Sequence, residues 1–241
     1  MKRSRNASSV WGLTILAGTL AIPQIAQAGP PLICHPFDIG GAKSLPWAGG
    51  DRESGRDWRG VDPNYEVGRL VADTLALLTP ETPVIVRMET LRRAAVYGAW
   101  ALRDRKVDYS VKDEKVAREL LARLLAKAKD AEAKGKPDAL AWFDAGYLAE
   151  SYKQAGLTID VNGYELVGKA IALRAQDPEI EFAAAIITEG GRPSKEHREH
   201  FQKAISGAKD GSLLAKNLVL HFGNRGTTIA ELKASLTSPS R

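Results

Sequence analysis

The segment DEKVARELLARLLAKAKDAEAK, at residues 113–134, has the residue spacing of a long amphipathic helix. Its apolar side chains recur at intervals of three and four, at Val116, Leu120, Leu121, Leu124, Leu125 and Ala128. The opposite side carries Lys115, Glu119 and Arg123 at intervals of four, and we expect this charged face to be solvated. The segment therefore predicts a helix with one buried stripe.

Further helices are predicted on the C-terminal side of this segment. Apolar side chains again recur at three and four, at about 138–156, 160–176, 178–189, 194–209, 212–223 and 227–236. Asp177 followed by Pro178 suits a helix start, because aspartate can cap free amides and proline fits the first turn. Thr228 and Glu231 have the spacing of a capping box for the last helix.

The chain between residues 62 and 102 shows the same kind of pattern. The pairs Asp62-Pro63 and Thr82-Pro83 predict two more helix starts. The apolar stripes that follow them are Val67, Leu70, Val71, Thr74, Leu75 and Leu78, and then Val84, Met88, Leu91, Ala95 and Leu102. No segment alternates with period two for long enough to predict a strand. We therefore expect residues 61–241 to form an all-α domain.

Parts of the C-terminal half repeat at an offset of 34 residues. The aligned residues are Lys169-Ala170-Ile171 with Lys203-Ala204-Ile205, and Leu148, Ala149 and Tyr152 with Phe182, Ala183 and Ile186. Small side chains let two antiparallel helices approach, while the large ones fill the groove between them. The repeated pattern predicts a stack of antiparallel helical hairpins.

The segment Leu148-Ala149-Glu150-Ser151-Tyr152-Lys153-Gln154-Ala155-Gly156 resembles the first-helix core of a tetratricopeptide repeat. Its large, small, aromatic and glycine positions come in the order of that repeat, and the offset of about 34 residues is its period. The resemblance covers roughly residues 138–236. The second helix departs from the pattern, because residues 158–163 read as an insertion and Pro178 falls about one residue late. The resemblance implies a right-handed α-α superhelix.

Tetratricopeptide repeats usually bind peptides or proteins along a concave surface, so the resemblance implies a scaffold for a protein or peptide partner. The candidate groove residues are Trp142, Tyr147, Tyr152 and Tyr164. Aromatic side chains at helical spacing also suit a core, so a helical domain that binds nothing in a groove is the alternative. The pattern assigns no catalysis and no cofactor.

Residues 29–60 lack helical periodicity and are rich in glycine and proline. They nevertheless carry the large apolar side chains Leu32, Ile33, Phe37, Ile39, Leu45, Trp47 and Trp58. A disordered tail is poorer in such residues. We therefore expect an extended arm that packs against the helices, with residues 49–60 as an exposed loop. If this arm lies in the binding groove, it would regulate access to it.

Residues 1–28 have the three-part form of a secretory signal peptide. Lys2, Arg3 and Arg5 form the charged start, residues 10–22 form the apolar core, and Ala26-Gln27-Ala28 supplies the cleavage site. The apolar core is too short to span a bilayer. We expect cleavage after Ala28, a periplasmic or secreted chain, and no stable membrane insertion.

Removal of the signal peptide would leave the chain nearly neutral. The whole sequence has a net charge of +5, and residues 1–28 carry three cationic side chains and no acidic ones, so the rest has a net charge of +2. A chain this close to neutrality offers no broad electrostatic surface for nucleic acid. We therefore exclude nucleic acid as the expected partner.

A metal- or thiol-dependent enzyme is the alternative function, with Cys34, His35, His197 and His200 as its candidate residues. His197 and His200 share a helix face and could reach one metal ion, but their spacing differs from the His-Glu-x-x-His of zinc proteases. Convergence of the four side chains would favour this enzyme. Otherwise we expect a buried thiol and structural or exposed imidazoles.

Overall fold

The computed structural model describes residues 30–48, 60–62, 64–99, 101–103, 106–108, 114–189, 194–223 and 225–237. For residues 101–103 and 106–108 the description is confined to the backbone. The predicted signal peptide at residues 1–28 lies outside the described residues, and so do residues 49–59 of the expected exposed loop.

The described residues form ten α-helices and one short β-hairpin, which confirms the all-α class. The helices are α1 (Pro31–Cys34), α2 (Leu70–Leu77), α3 (Val84–Ala99), α4 (Glu114–Ala133), α5 (Ala139–Gln154), α6 (Gly163–Leu173), α7 (Pro178–Ile187), α8 (Lys195–Gly207), α9 (Leu213–Phe222) and α10 (Ile229–Thr237). A 3-10 turn at Val67–Arg69 leads into α2.

A small antiparallel hairpin follows α3 and differs from the expectation that no segment forms a strand. Its strands are β1 (Ala101–Arg103) and β2 (Lys106–Asp108), with Ala101 opposite Asp108. Because α3 ends at Ala99, Leu102 lies in β1 and does not continue the apolar stripe of that helix.

The capping residues set most helix starts where the sequence predicts them. The Asp177 carboxylate accepts hydrogen bonds from the main-chain N–H groups of the first turn of α7, and Pro178 occupies the first helical position. The Thr228 hydroxyl accepts from the Glu231 N–H at 3.1 Å, as a capping box requires. The predicted helix start at Asp62 is wrong, because its carboxylate caps a turn at Asn64 and α2 begins only at Leu70.

Two glycines allow α5 and α6 to pack closely. A Cβ atom added to Gly146 would lie 2.5 Å from the main-chain oxygen of Gly163, so neither position has room for a side chain. The Lys169 ammonium lies 4.1 Å from the ring centroid of Trp142, near the other ends of the helices. These contacts make α5 and α6 an antiparallel pair.

Helices α7 and α8 form a second antiparallel pair. Gly207 at the end of α8 lies against Pro178 at the start of α7. At the opposite end, the His197 Nδ1 atom lies 2.9 Å from the main-chain oxygen of Ala185. Glycine and alanine again occur where the two helices meet.

The N-terminal segment, defined here as residues 30–48, contributes to the same hydrophobic core as the helices. Leu32, Ile33, Phe37 and Leu45 are all buried within that core. The segment begins with the single helical turn α1, although the sequence predicts an extended arm throughout. It ends in an antiparallel bridge between Trp47 and Val61, where the Ala48 N–H donates to the Gly60 oxygen at 2.7 Å.

None of the helices formed by the described residues has the length and apolar character needed to cross a bilayer.

Candidate functional site

Helical side chains bind the main chain of the N-terminal segment along most of its length. The contacts come from Gln154 in α5, from Glu89, Arg92, Arg93 and Tyr97 in α3, and from Asn217 in α9. At the start of the segment, the Leu32 N–H donates to the Gln154 Oε1 atom at 2.7 Å. We call these six helical side chains the main-chain clamp.

Asn217 makes the most complete contact of the main-chain clamp. Its Oδ1 atom accepts from the Asp38 N–H at 2.8 Å, and its Nδ2 atom donates to the Asp38 oxygen at the same distance. A second Nδ2 bond reaches the Leu213 oxygen one turn earlier in α9 and fixes the orientation of the amide. A side-chain amide that pairs with both the N–H and the oxygen of one residue makes the two hydrogen bonds that a neighbouring β-strand would otherwise make.

Glu89, Arg92 and Arg93 form the charged part of the main-chain clamp. The Glu89 carboxylate is fully buried, pairs with Arg92 at 2.7 Å and Arg93 at 2.6 Å, and accepts from the Phe37 N–H at 3.0 Å. Arg92 donates to the Ile33 oxygen at 3.0 Å, and Arg93 donates to the Leu45 oxygen at 2.7 Å. The two guanidinium groups thus also donate to main-chain oxygens of the N-terminal segment, and the carboxylate accepts from one of its N–H groups.

The electrostatics of this group favour an ionised Glu89. Burial alone would raise the pKa of its carboxyl group, but the charge and hydrogen bonds of Arg92, followed by Arg93 and the Phe37 N–H, hold the pKa below its ordinary value. Because Glu89 and Arg92 are both buried, removal of either one would leave an uncompensated charge in the core.

An aromatic pocket receives the side chain of Phe37. Its ring stacks on His221 with centroids 4.6 Å apart and meets Phe182 edge-on at 6.1 Å. His35 also meets the His221 ring, in an edge-on contact with the centroids 5.9 Å apart. The pocket therefore adds an aromatic side-chain contact to the main-chain hydrogen bonds of the clamp.

Burial keeps the imidazoles of this pocket neutral. It lowers the pKa of His221 to about 3, with smaller effects from the neighbouring His35 and Arg92. Burial and then Arg92 lower the pKa of His35 as well. The Nε2 atoms of both rings are buried and have no hydrogen-bond partner among the described residues. Protonation of either ring would place a cation in an apolar, already cationic environment.

Three of the four predicted groove aromatics belong to the core. Trp142, Tyr147 and Tyr152 are at most 2 % exposed. Burial raises the pKa of both tyrosines, and neither hydroxyl has a hydrogen-bond partner among the described residues. In this conformation the three side chains support the helices and present no surface to a partner.

Tyr164 is partly exposed and takes part in a polar chain on α6, α7 and α8. Its hydroxyl lies 2.8 Å from the His200 Nε2 atom, and the His200 Nδ1 atom lies 2.5 Å from the Glu181 carboxylate. Lys203 pairs with the other Glu181 oxygen at 3.1 Å. Burial, followed by nearby glutamates, raises the pKa of Tyr164, so the phenol stays protonated. Its hydroxyl therefore joins α6 to α8 through a hydrogen bond and is a poor nucleophile.

The four candidate metal ligands lie in different surroundings. Cys34 and His35 belong to the N-terminal segment, whereas the His197 ring stacks on Phe201 and His200 belongs to the polar chain with Glu181. Within the part of the chain that the structure describes, no three His, Cys, Asp or Glu side chains are placed to hold a metal ion. The imidazole that does lie beside His35 is His221.

A second buried ion pair lies outside the main-chain clamp. Arg87 of α3 donates to Asp144 of α5 at 2.5 Å and also binds the main-chain oxygens of Thr79 and Thr82. Burial raises the pKa of Asp144 to about 7 against the attraction of Arg87. The pair thus joins α3 to α5, and Arg87 also holds the turn that precedes α3.

Four residues of this site could not be predicted from the sequence: Glu89, Arg92, Asn217 and His221. The spacing of Glu89 with Arg92 and Arg93 is that of a solvated charge pair on a helix, and only the overlying segment makes it a buried one. The signal available in the sequence was the apolar content of residues 29–60. It predicts that this segment packs against the helices and therefore covers part of their surface.

No protein-family model, no curated protein and no solved structure matches this chain, so the functional argument depends on the geometry of the site.

Proposed function

We propose that this protein is an exported helical-repeat scaffold that binds an extended segment of a protein or peptide partner. The observation that carries the proposal is the double hydrogen bond between Asn217 and the main chain of Asp38. Such an amide contact needs an extended segment with a free N–H and a free oxygen, and it is indifferent to that segment's side chain. It is therefore suited to peptide recognition.

The rest of the main-chain clamp supports the same function. Gln154, Glu89, Arg92 and Arg93 bind main-chain groups over residues 32–45, and one aromatic pocket takes a side chain. Main-chain bonds supply affinity and pockets supply specificity in proteins that bind extended peptides. The scaffold thus has both parts of a recognition surface, and no reaction chemistry is required of it.

For the fold, we propose a stack of helical hairpins of the tetratricopeptide-like kind. The antiparallel contacts of α5 with α6 and of α7 with α8 support it, together with the 34-residue offset in the sequence. In such a stack, each hairpin buries its apolar face against the next one, so the assembly presents one continuous surface to a partner.

For the location, we propose export through the signal peptide at residues 1–28, with cleavage after Ala28. The mature chain would then begin two residues before α1. This arrangement places Leu32 and Ile33, which are buried, close to the new N-terminus. The binding surface would operate in the periplasm or outside the cell.

Two measurements test the proposed function. Cross-linking of the tagged mature protein in its native periplasm, followed by mass spectrometry, identifies candidate partners. Synthetic peptides from those partners are then titrated against the purified protein by fluorescence anisotropy. The substitutions Asn217→Ala and Asn162→Ala are both made in the Phe37→Ala chain, whose own N-terminal segment fills the surface less well. We expect saturable binding that Asn217→Ala weakens by about thirtyfold, since two lost hydrogen bonds are worth about 2 kcal/mol. Asn162→Ala, which removes only the cap of α6, should leave the affinity unchanged.

The outcomes separate a binding surface from a purely structural contact. If no captured partner yields a peptide that binds, or if Asn217→Ala and Asn162→Ala weaken binding equally, the scaffold function is wrong. In that case the main-chain clamp only holds the chain's own N-terminal segment.

A further inference from the structure

The N-terminal segment has the bonding pattern of a bound peptide. It contacts residues that are far away in sequence, with separations of 122 residues to Gln154 and 179 residues to Asn217. Its bonds to the main-chain clamp run through its own N–H and oxygen atoms at residues 32, 33, 37, 38, 45 and 46. A second molecule whose main chain takes the same path, a helical turn followed by a non-helical stretch, could make the same bonds.

The side chains of the segment define what else such a molecule would need. Leu32 and Ile33 are adjacent and buried, and Phe37 enters the pocket of His221 and Phe182 four residues later. Asp38 follows directly at Asn217, where only its main chain is bound by the amide. The pattern is two aliphatic residues, three intervening residues, an aromatic residue, and then an extended residue of any type.

We infer that the N-terminal segment is an intramolecular occupant of the peptide-binding surface, and that it competes there with a partner segment of this same pattern. This competition rests on the proposed function. It specifies the chemistry of the partner segment and the way in which binding of the partner is regulated. Because the occupant belongs to the chain, its effective concentration is on the order of millimolar, and a free segment must compete with it. The apparent affinity of the partner is reduced by the fraction of sites that the segment fills.

The probe for this inference is a fluorescent peptide with the sequence of residues 30–48, in which Cys34 is replaced by serine. It is titrated against the full mature chain, against the Phe37→Ala chain and against the Phe201→Ala chain. Phe201 is also buried among aromatic side chains but makes no ring contact with the segment, so it controls for a general loss of stability.

We expect the Phe37→Ala chain to bind the peptide at least about tenfold more tightly than the unaltered chain does, because its own segment competes less well. The Phe201→Ala chain should bind like the unaltered chain. A peptide with Phe37→Ala should bind weakly to all three. Equal affinity of the Phe37→Ala and unaltered chains for the peptide would overturn the inference, and so would an absence of binding to both.

A second readout works on the unaltered chain and does not depend on the folding of a variant. Cys34 is the single cysteine of the sequence and lies within the segment, so the rate of its labelling by a thiol reagent reports displacement of the segment. We expect the rate to rise with the concentration of the cysteine-free peptide and then to saturate. A rate that does not change up to peptide saturation would overturn the inference.

The failures of the two proposals are distinguishable. If partner peptides bind in an Asn217-dependent way but neither Phe37→Ala nor the labelling rate responds, the scaffold function stands and the intramolecular occupant does not. If the peptide of residues 30–48 displaces the segment but no partner peptide binds, the competition is real and the proposed scaffold function fails.

Discussion

The side-chain amide of Asn217 pairs with both main-chain groups of Asp38, across 179 residues of sequence. We expect Asn217→Ala to lower the free energy of unfolding by about 2 kcal/mol, because it removes two partly buried hydrogen bonds to the Asp38 N–H and oxygen. Urea denaturation checks the stability. The labelling rate of Cys34 should also rise, because the N-terminal segment is held less firmly.

Asn162→Ala is the matched control for this prediction. Asn162 caps α6, and its loss should cost about 1 kcal/mol without a change in the labelling rate of Cys34. A labelling rate that rises equally in the two variants would show that Asn217 has no particular role in holding the segment.

The contact between Gly146 and Gly163 predicts a large effect from a single methyl group. Gly146→Ala should destabilise the protein by about 3 kcal/mol, because the new Cβ atom would lie 2.5 Å from a main-chain oxygen of α6. Gly168→Ala on α6 is the control, because nothing lies within 4 Å of its added Cβ atom. It should stabilise the helix by up to about 1 kcal/mol. Thermal unfolding gives the melting temperatures of both variants. Equal melting temperatures would contradict this packing.

The buried pair of Arg87 and Asp144 should show strong coupling. Asp144→Leu alone should cost about 3 kcal/mol, because it leaves the Arg87 guanidinium buried without its carboxylate. The double variant with Arg87→Met should cost less than the sum of the two single changes, by at least about 1 kcal/mol. Additive free energies in the double-mutant cycle would mean that the two side chains do not interact.

Glu89→Gln tests the charged part of the main-chain clamp. We expect a loss of about 3 kcal/mol, because Arg92 and Arg93 would lose the carboxylate that both of them share. Glu119→Gln is the control, since Glu119 forms an exposed pair with Arg123 and its loss should change stability by less than about 0.5 kcal/mol. If both substitutions lowered the free energy of unfolding by the same small amount, the charged part of the main-chain clamp would not be a buried one.

Acid should weaken the aromatic pocket around Phe37. The folded-state pKa of His221, about 3, lies below the ordinary value of 6.5, so the unfolded chain binds more protons and stability falls as the pH drops below 6.5. His221 faces His35 and Arg92, which oppose its protonation, and Glu89, which favours it. His221→Phe keeps a stacking ring and should lose less stability between pH 6.5 and pH 5.

The comparison with His221→Phe is needed because other groups titrate in the same interval. Asp144 is one such group, because burial raises its pKa to about 7. Its contribution is the same in both proteins and cancels in their difference. An identical pH dependence of the two unfolding free energies would show that His221 is not the sensitive group.

The helices could be predicted from the sequence because their signals are local. Asp177 with Pro178 sets the start of α7, and the stripe through Leu120 and Leu124 sets the buried face of α4, each within a few residues. The start at Asp62 was predicted wrongly, because the same dipeptide also suits the turn that it forms with Asn64. Local chemistry alone does not separate a cap from a turn.

The site could not be predicted because it depends on contacts between distant segments. Glu89 and Arg92 have the spacing of an exposed pair, and their burial follows only from the segment that lies over them. Tyr147 and Tyr152 fit either a groove or a core by spacing, and the structure places them in the core. His221 has no neighbour in sequence that marks it, since its partners Phe37 and His35 lie near the other end of the chain.

The pairing of Asp38 with Asn217 also sets the order in which the protein can assemble. The ribosome makes residues 30–48 before α9, so the N-terminal segment has no complete binding surface until α9 has been synthesised. Closing so long a loop slows folding, because the entropy must be lost before the contacts form. Until then Leu32, Ile33 and Phe37 remain exposed, and the nascent chain presents an apolar stretch that a chaperone can hold. The N-terminal segment is therefore made before the helices that bind it and reaches its final place after them.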